Sequence, residues 1–241
     1  MIRKVTFFIF LPITFTLHFS FVIGQVDAAW LLKESIKYHD PANTWARSKT
    51  KLTLREIRPE SEDRITTLTI DDRRGNFLMQ QIRDGYKIEF KISGDDHQIL
   101  LNGRVPEDTA VISRYRLNQQ RVFTMRDYYS YLYSLPMRLV SDGSIIAKEA
   151  KETIFDDQKV YAIKVTYPPQ VGNDTWYFYF DKVTKQLTGY RFYHHEEDND
   201  GEYIILEDAI KVGNLLIPQK RSWYTNKGGE FLGTDIVIEG S

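Results

Sequence analysis

The sequence predicts a mainly β (α+β) fold. We expect a large, strongly curved antiparallel sheet of about 11–12 strands forming a half-barrel, with an N-terminal helix and a middle helix packed in its concave face. Three observations predict it. From about Ser48, apolar residues recur with a period of two between clusters of turn residues. That alternation breaks once, mid-chain, where apolar residues take three- and four-residue spacing. It then resumes to the end, and no repeat, low-complexity linker or Pro/Gly-rich hinge divides the halves. The expected organisation is therefore a signal peptide over 1–24 and a single half-barrel domain over 25–241.

The elements follow in order. "MIRK" is a short basic head, and "VTFFIFLPITFTLHFSFVIG" is a long apolar run. Pro12, His18, the absence of a basic flank after the run and the small residues near Gln25 read as a secretory signal peptide. An uncleaved N-terminal tether is the alternative. Either way the folded part is expected outside the cytoplasm, in the periplasm. Next, Asp27 can cap a helix with Ala28, Leu31, Leu32, Ser35 and Ile36 on one face, which Asp40-Pro41 stops. "KTKLTLREI", "DRITTLTID", "GNFLMQQIRD", "YKIEFKIS" and "DHQILLNG" then form a meander, with Leu52, Leu54 and Ile57 as the apolar positions of the first strand.

The middle stretch "LNQQRVFTMRDYYSYLYSLPMRL" places Val122, Met125, Tyr129 and Leu132 on one helical face ending at Pro136. Tyr128, Tyr131 and Leu135 fall on the other side, so this helix needs cover on more than one side. The second meander reads "KETIFD", "KVYAIKVTYP", "DTWYFYFD", "QLTGYRFYHH", "GEYIILEDAIKV", "LLIPQKRSWYT" and "FLGTDIVIEG".

Composition excludes several function classes. Net charge is -1 with both signs interspersed, so no basic footprint for nucleic acid exists. Cysteine is absent, which removes disulfides, thiolate metal sites, a Cys nucleophile and a lipoprotein anchor. No "GxSxG" elbow is present. Aromatics at 14% are the outlier and favour strands and broad apolar surfaces.

"DTWYFYFDKVTKQLTGYRFY" resembles the strand–turn–strand of bacterial lipoprotein carriers and sorting proteins of the LolA/LppX type. The matching positions are Trp176 to Phe180, Asp181, Thr184 and Leu187. "LLKESIKYHDP", "YYSYLYSLPMRL", "DGEYIILED" and "FLGTDI" also resemble a family of uncharacterised secreted proteins from Gram-negative bacteria related to that superfamily. The resemblance covers nearly the whole mature chain. It implies a half-barrel with helices as a lid over an apolar cavity for acyl chains. The chain lacks the Cys by which many relatives are lipid-anchored, and none of the carriers' partner-binding residues maps onto it.

Alternation puts Trp176, Phe178 and Phe180 on one strand face, and Tyr190, Phe192 and His194 on one face of the next. These aromatics either form packed core or line a ligand cavity with Tyr128, Tyr131 and Leu132 of the middle helix. In the core, each large side chain contributes roughly 1.5–3 kcal/mol. Adjacent His194 and His195 point to opposite faces and cannot jointly chelate a metal. Glu196, Asp198, Asp200, Gly201 and Glu207 fall at the spacing of a calcium loop, but their flanks read as strands and not helices. A solvated hairpin tip is the plainer reading.

The function expected from sequence is a non-enzymatic, monomeric binding or carrier protein for a lipid or acyl-chain ligand, with no cofactor. A packed envelope protein that meets a protein partner through Tyr177, Tyr179 and Tyr193 is the second reading, and a hydrolase the third.

Overall fold

A computed structural model describes residues 25–71 and 73–241. The leader read at 1–24 lies outside the described residues. The first half runs β1 (Val26–Asp27), α1 (Ala28–His39), β2 (Thr50–Ile57), β3 (Arg64–Asp71), β4 (Asn76–Arg83), β5 (Tyr86–Ser93) and β6 (Asp96–Leu101). Two helices follow, α2 (Thr109–Tyr115) and α3 (Gln119–Ser134). The second half has β7 (Ile145–Ile146), β8 (Glu149–Phe155), β9 (Gln158–Thr166), β10 (Thr175–Asp181), β11 (Leu187–Tyr193) and β12 (Glu202–Glu207). It ends with β13 (Ile210–Val212), β14 (Leu215–Ile217), β15 (Lys220–Thr225) and β16 (Phe231–Gly240).

Fourteen of these strands form one sheet in the order β1-β8-β9-β10-β11-β12-β15-β16-β2-β3-β4-β5-β6, with β7 also on β9. Every pairing is antiparallel. The two meanders join where β16 pairs with β2, with Asp235 opposite Glu56. The sheet does not close: β6 is one edge, and β1 with β8 is the other. Polar Asp96, His97 and Gln98 are exposed along the β6 edge, which discourages further pairing there.

Two long strands expected from sequence are each split. Asp208 takes a left-handed conformation (φ 56°) after β12, and Pro218, which has no N–H to donate, follows β14. The pieces β13 and β14 pair with each other as a hairpin off the main sheet. The structure also adds α2, whose seven residues are too few to show a helical period. Its N-cap, Asp108, accepts from Ala110 N at 2.8 Å and Val111 N at 3.2 Å.

Helix α1 buries Ala28, Leu31, Leu32, Ser35 and His39 along one stripe. Its Asp27 cap accepts from Trp30 N at 2.7 Å. Asn118 caps α3 by accepting from Arg121 N at 2.9 Å. Helix α3 ends at Ser134, two residues before Pro136. It buries Val122, Tyr129, Leu132 and Tyr133 against the sheet.

A second, smaller cluster covers the convex face, where Phe155 stacks on Tyr179 with ring centroids 4.0 Å apart. Gly189 makes that approach feasible. A Cβ there would collide with the Phe155 ring and stand 2.6 Å from Ile204 O.

His39 ties α1 to two strands. It is 1% exposed. Its Nδ1 lies 2.6 Å from Leu216 O, and its Nε2 accepts from Leu187 N at 3.0 Å. The proton therefore sits on Nδ1 and the ring is neutral. Burial outweighs the Leu216 bond and lowers the pKa to about 4, from an ordinary 6.5. As pH falls from 6.5 towards 4, the unfolded chain gains a proton that the folded chain refuses. Stability is lost across that window. In denaturant titrations, the stability gap between wild type and His39→Gln should narrow by roughly 1–2 kcal/mol from pH 7 to pH 5. A gap that does not change with pH would contradict this role.

Candidate functional site

The sheet register builds the site. Arg221 of β15 lies opposite Asp235 of β16, Asp235 opposite Glu56 of β2, and Glu56 opposite Arg64 of β3. Directly paired residues share a sheet face. A row of four charges thus crosses the concave side, two carboxylates between two guanidiniums. Arg221, Asp235 and Glu56 are each at most 2% exposed.

Helix α3 covers this row. Tyr129 Oη donates to Glu56 Oε1 at 2.6 Å. Thr66 Oγ1 and Gln81 Nε2 donate to Glu56 Oε2 at 2.8 and 3.0 Å. Arg221 Nη2 donates to Leu132 O at 2.9 Å, and its guanidinium stacks 4.6 Å from the Tyr133 ring centroid. Arg58, just past β2, brings Nη2 to 2.8 Å from Asp235 Oδ1. That is a close ion pair, although among the described residues neither Asp235 oxygen receives a well-aligned hydrogen bond. Among the described residues, Tyr133 Oη, Tyr190 Oη and Arg221 Nε also lack a well-aligned hydrogen-bond partner. Burial, then the Glu56 carboxylate, push Asp235 up to about 6, while Arg58 and Arg221 pull it down.

The sequence-predicted cavity residues divide into two groups. Phe178, Phe180, Tyr190 and Leu132 are buried core. Trp176, Phe192 and Tyr131 pack at its margin. Trp176 lies 6.0 Å from the Tyr131 ring and 4.9 Å from Phe192. Trp176, Tyr131 and the exposed Tyr128 line a cleft of about 480 Å³ beside α3, with Tyr167 and Val171. Arg138, Asp142 and Asp174 stand around it. Tyr131 Oη is 3.2 Å from Tyr167 Oη, which donates to Asp142 at 2.9 Å. The cleft therefore combines aromatic walls with a few fixed polar groups, the usual makeup of a small-molecule site.

On the other flank of α3, a cleft of about 360 Å³ lies over β3, β4 and β5. Arg58, Arg64, Arg83 and Arg121 line it with Tyr115 and Tyr128.

The acidic hairpin does not gather its carboxylates. Glu196 accepts from Tyr177 Oη at 2.6 Å and Lys164 Nζ at 3.0 Å. Asp200 accepts from the backbone N–H groups of His194 and His195, both at 2.8 Å. Glu207, at the end of β12, pairs with Lys220 at 2.7 Å, and Asp198 sits in a short helical turn. Among the described residues, no group of three or more His, Asp or Glu is placed to hold a metal. His194 turns to Asp174 at 2.8 Å and His195 to Asp200 at 3.2 Å. The outward tyrosine face is only partly open, because Tyr179 is covered by Phe155 while Tyr177 and Tyr193 remain part-exposed.

Sequence reading missed the charge row, although a signal for it existed. Parity with inward Leu52 and Leu54 points to Glu56, not Ile57. Likewise Arg221 has the parity of Trp223, which is also buried.

The open, helix-filled half-barrel is similar in fold to two solved bacterial proteins. A domain from Vibrio parahaemolyticus, described as outer membrane lipoprotein-sorting, superposes with a TM-score of 0.50 at 10% identity. The match covers 87% of this chain and 91% of that one. A LolA superfamily protein from Nitrosomonas europaea matches with a TM-score of 0.50 at 9% identity, over 90% of this chain and 93% of its own. At such identities the likeness concerns fold alone. The chain belongs to a family of unknown function (DUF6503), whose model matches residues 4–240. No curated protein matches the sequence.

Two outcomes test the charge row. Asp235 keeps its proton more readily folded than unfolded, so it stabilises the fold as pH falls through about 6. The stability of wild type relative to Asp235→Asn should rise by roughly 1 kcal/mol from pH 7 to pH 5, read by urea titration. Tyr129→Phe deprives Glu56 of a donor and should cost about 1.5–3 kcal/mol in the same assay.

Proposed function

We propose that the protein is a non-catalytic, periplasmic carrier or binding protein whose ligand is a lipid or a lipoprotein acyl chain. The observation that carries this reading is the cleft beside α3. Its volume of about 480 Å³ falls in the range of natural ligand pockets, ~300–1,000 Å³. Trp176, Tyr131 and Tyr128 supply its aromatic surface.

The fold and the apolar leader read at 1–24 support the same assignment. The space beneath α3 is filled by Phe178, Phe180, Tyr190 and Leu132, so the ligand seat is at the helix margin and not under its centre. A non-catalytic role fits the two central carboxylates. Glu56 is committed to Tyr129, Thr66 and Gln81, and Asp235 to Arg58.

Solvent extraction of protein purified from the periplasm, followed by mass spectrometry, should recover acyl lipid. A fluorescent fatty-acid probe should bind wild type, and Trp176→Ala should weaken that binding roughly tenfold, the effect of one large buried aromatic. Lipid-free extracts together with no probe binding would refute the carrier reading.

A further inference from the structure

The second cleft, over β3 to β5, carries chemistry that an apolar ligand does not need. Four guanidiniums line it, from Arg58, Arg64, Arg83 and Arg121, against the single carboxylate of Glu56. That carboxylate is already spent, since its two oxygens take three side-chain donors. Arg58 is held by Asp235.

The other three arginines are balanced only at a distance, Arg64 by Glu56 across the strand pair and Arg83 by Asp84. Arg83 reaches Asp84 only at 3.6 Å and lies 5.5 Å above the Tyr115 ring. Arg64 and Arg121, both half-buried, make no side-chain ion pair or hydrogen bond among the described residues. Burial, then Arg83, lower the pKa of Arg64 while Glu56 raises it, and burial, Arg116, Arg64 and Arg83 lower that of Arg121 while Tyr129 raises it. A guanidinium does not escape such a field by losing its proton. An anion is what relieves it.

We propose that this cleft is a binding site for a phosphate group. Arg64 on β3, Arg83 on β4 and Arg121 on α3 line one volume from three different elements. Guanidinium forks match the paired oxygens of a phosphate. Gln81 and Thr124 line the cleft beside the arginines, with Met79, Ile88, Phe90 and Met125. A lipid headgroup and a soluble phosphate ester share this chemistry. Tyr128 lines both this cleft and the one at Trp176. A phospholipid could accordingly place its headgroup here and its chains there. That extension rests on the carrier reading, whereas the phosphate site does not.

Calorimetry on the mature chain tests the site. The probes are inorganic pyrophosphate, glycerol 3-phosphate and short-chain phosphatidic acid, with phosphatidylcholine and chloride as controls. The expected result is binding of at least one phosphate probe, weakening as salt rises. The double variant Arg64→Gln/Arg121→Gln should lose about tenfold or more in affinity, the effect of removing charged hydrogen bonds. Arg114→Gln, outside the cleft, should leave affinity unchanged.

The melting temperature of the double variant shows whether it is folded, so lost binding is read only from a folded protein. Binding of the soluble probes assigns a free phosphate ester, and binding of phosphatidic acid alone assigns a lipid headgroup. Equal affinity in wild type and the double variant, or no phosphate binding at low salt, overturns the proposal. The fatty-acid probe at the Trp176 cleft is read separately, so either site can fail without the other.

Discussion

Two carboxylates placed side by side in a dry interior are the constraint on which the rest of this molecule depends. The pairing of β2 with β16 sets Glu56 against Asp235, and neither has bulk water to share its charge. Balance comes from Arg58 and Arg221, and from the Tyr129 hydroxyl that α3 lowers onto Glu56. Removing one member of such a buried set leaves a charge uncompensated, at a cost of about 3–5 kcal/mol. Helix α3, with tyrosines facing several ways, could pack apolar rings in more than one rotation. The bonds from Tyr129 to Glu56 and from Arg221 to Leu132 O select one.

That single seat explains the surface chemistry on either side of α3. Helix α3 is pinned along its middle, and a cleft lies on each of its flanks. One flank faces β10, where the aromatic strand supplies Trp176, and the cleft there is ring-walled with polar groups around it. The other faces β3 to β5, where strand ends carry arginines, and the cleft there is cationic. Both belong to one surface, with Tyr128 lining each.

Much of this was legible in the sequence, for reasons of period. Strands with strict alternation and Gly, Asp or Asn turns were read within a residue or two, as were the Asp27 cap and the stop near Pro136. Alternation puts the aromatic residues of that strand on one face, but a one-dimensional pattern cannot say whether that face is filled or open. The filled part, Phe178 and Phe180, and the part beside the cleft, Trp176, lie on the same strand at the same parity. The charge row was hidden differently. Glu56 stood in phase with Leu52 and Leu54, yet a lone acidic residue at an apolar position explains nothing until its partner is known. Asp235 lies far along the chain, and only the register of β16 on β2 unites them. The histidine pair and acidic hairpin showed the opposite failure, in which local spacing promised a convergence that the strands do not allow.

The pairing of β2 with β16 also bears on the order of assembly. It hydrogen-bonds the first long strand to the last one. The N-terminal meander can form its hairpins as soon as it is made, since each strand of β2 to β6 pairs with its neighbour in sequence. Yet Glu56 has no Asp235 beside it, and β2 keeps a bare edge, until residues near the end of the chain arrive. Loop-closure entropy makes such distant pairings slow. A half-made sheet with an unpaired edge is the species most exposed to aggregation. The pairing that completes the core therefore depends on residues near the end of the chain.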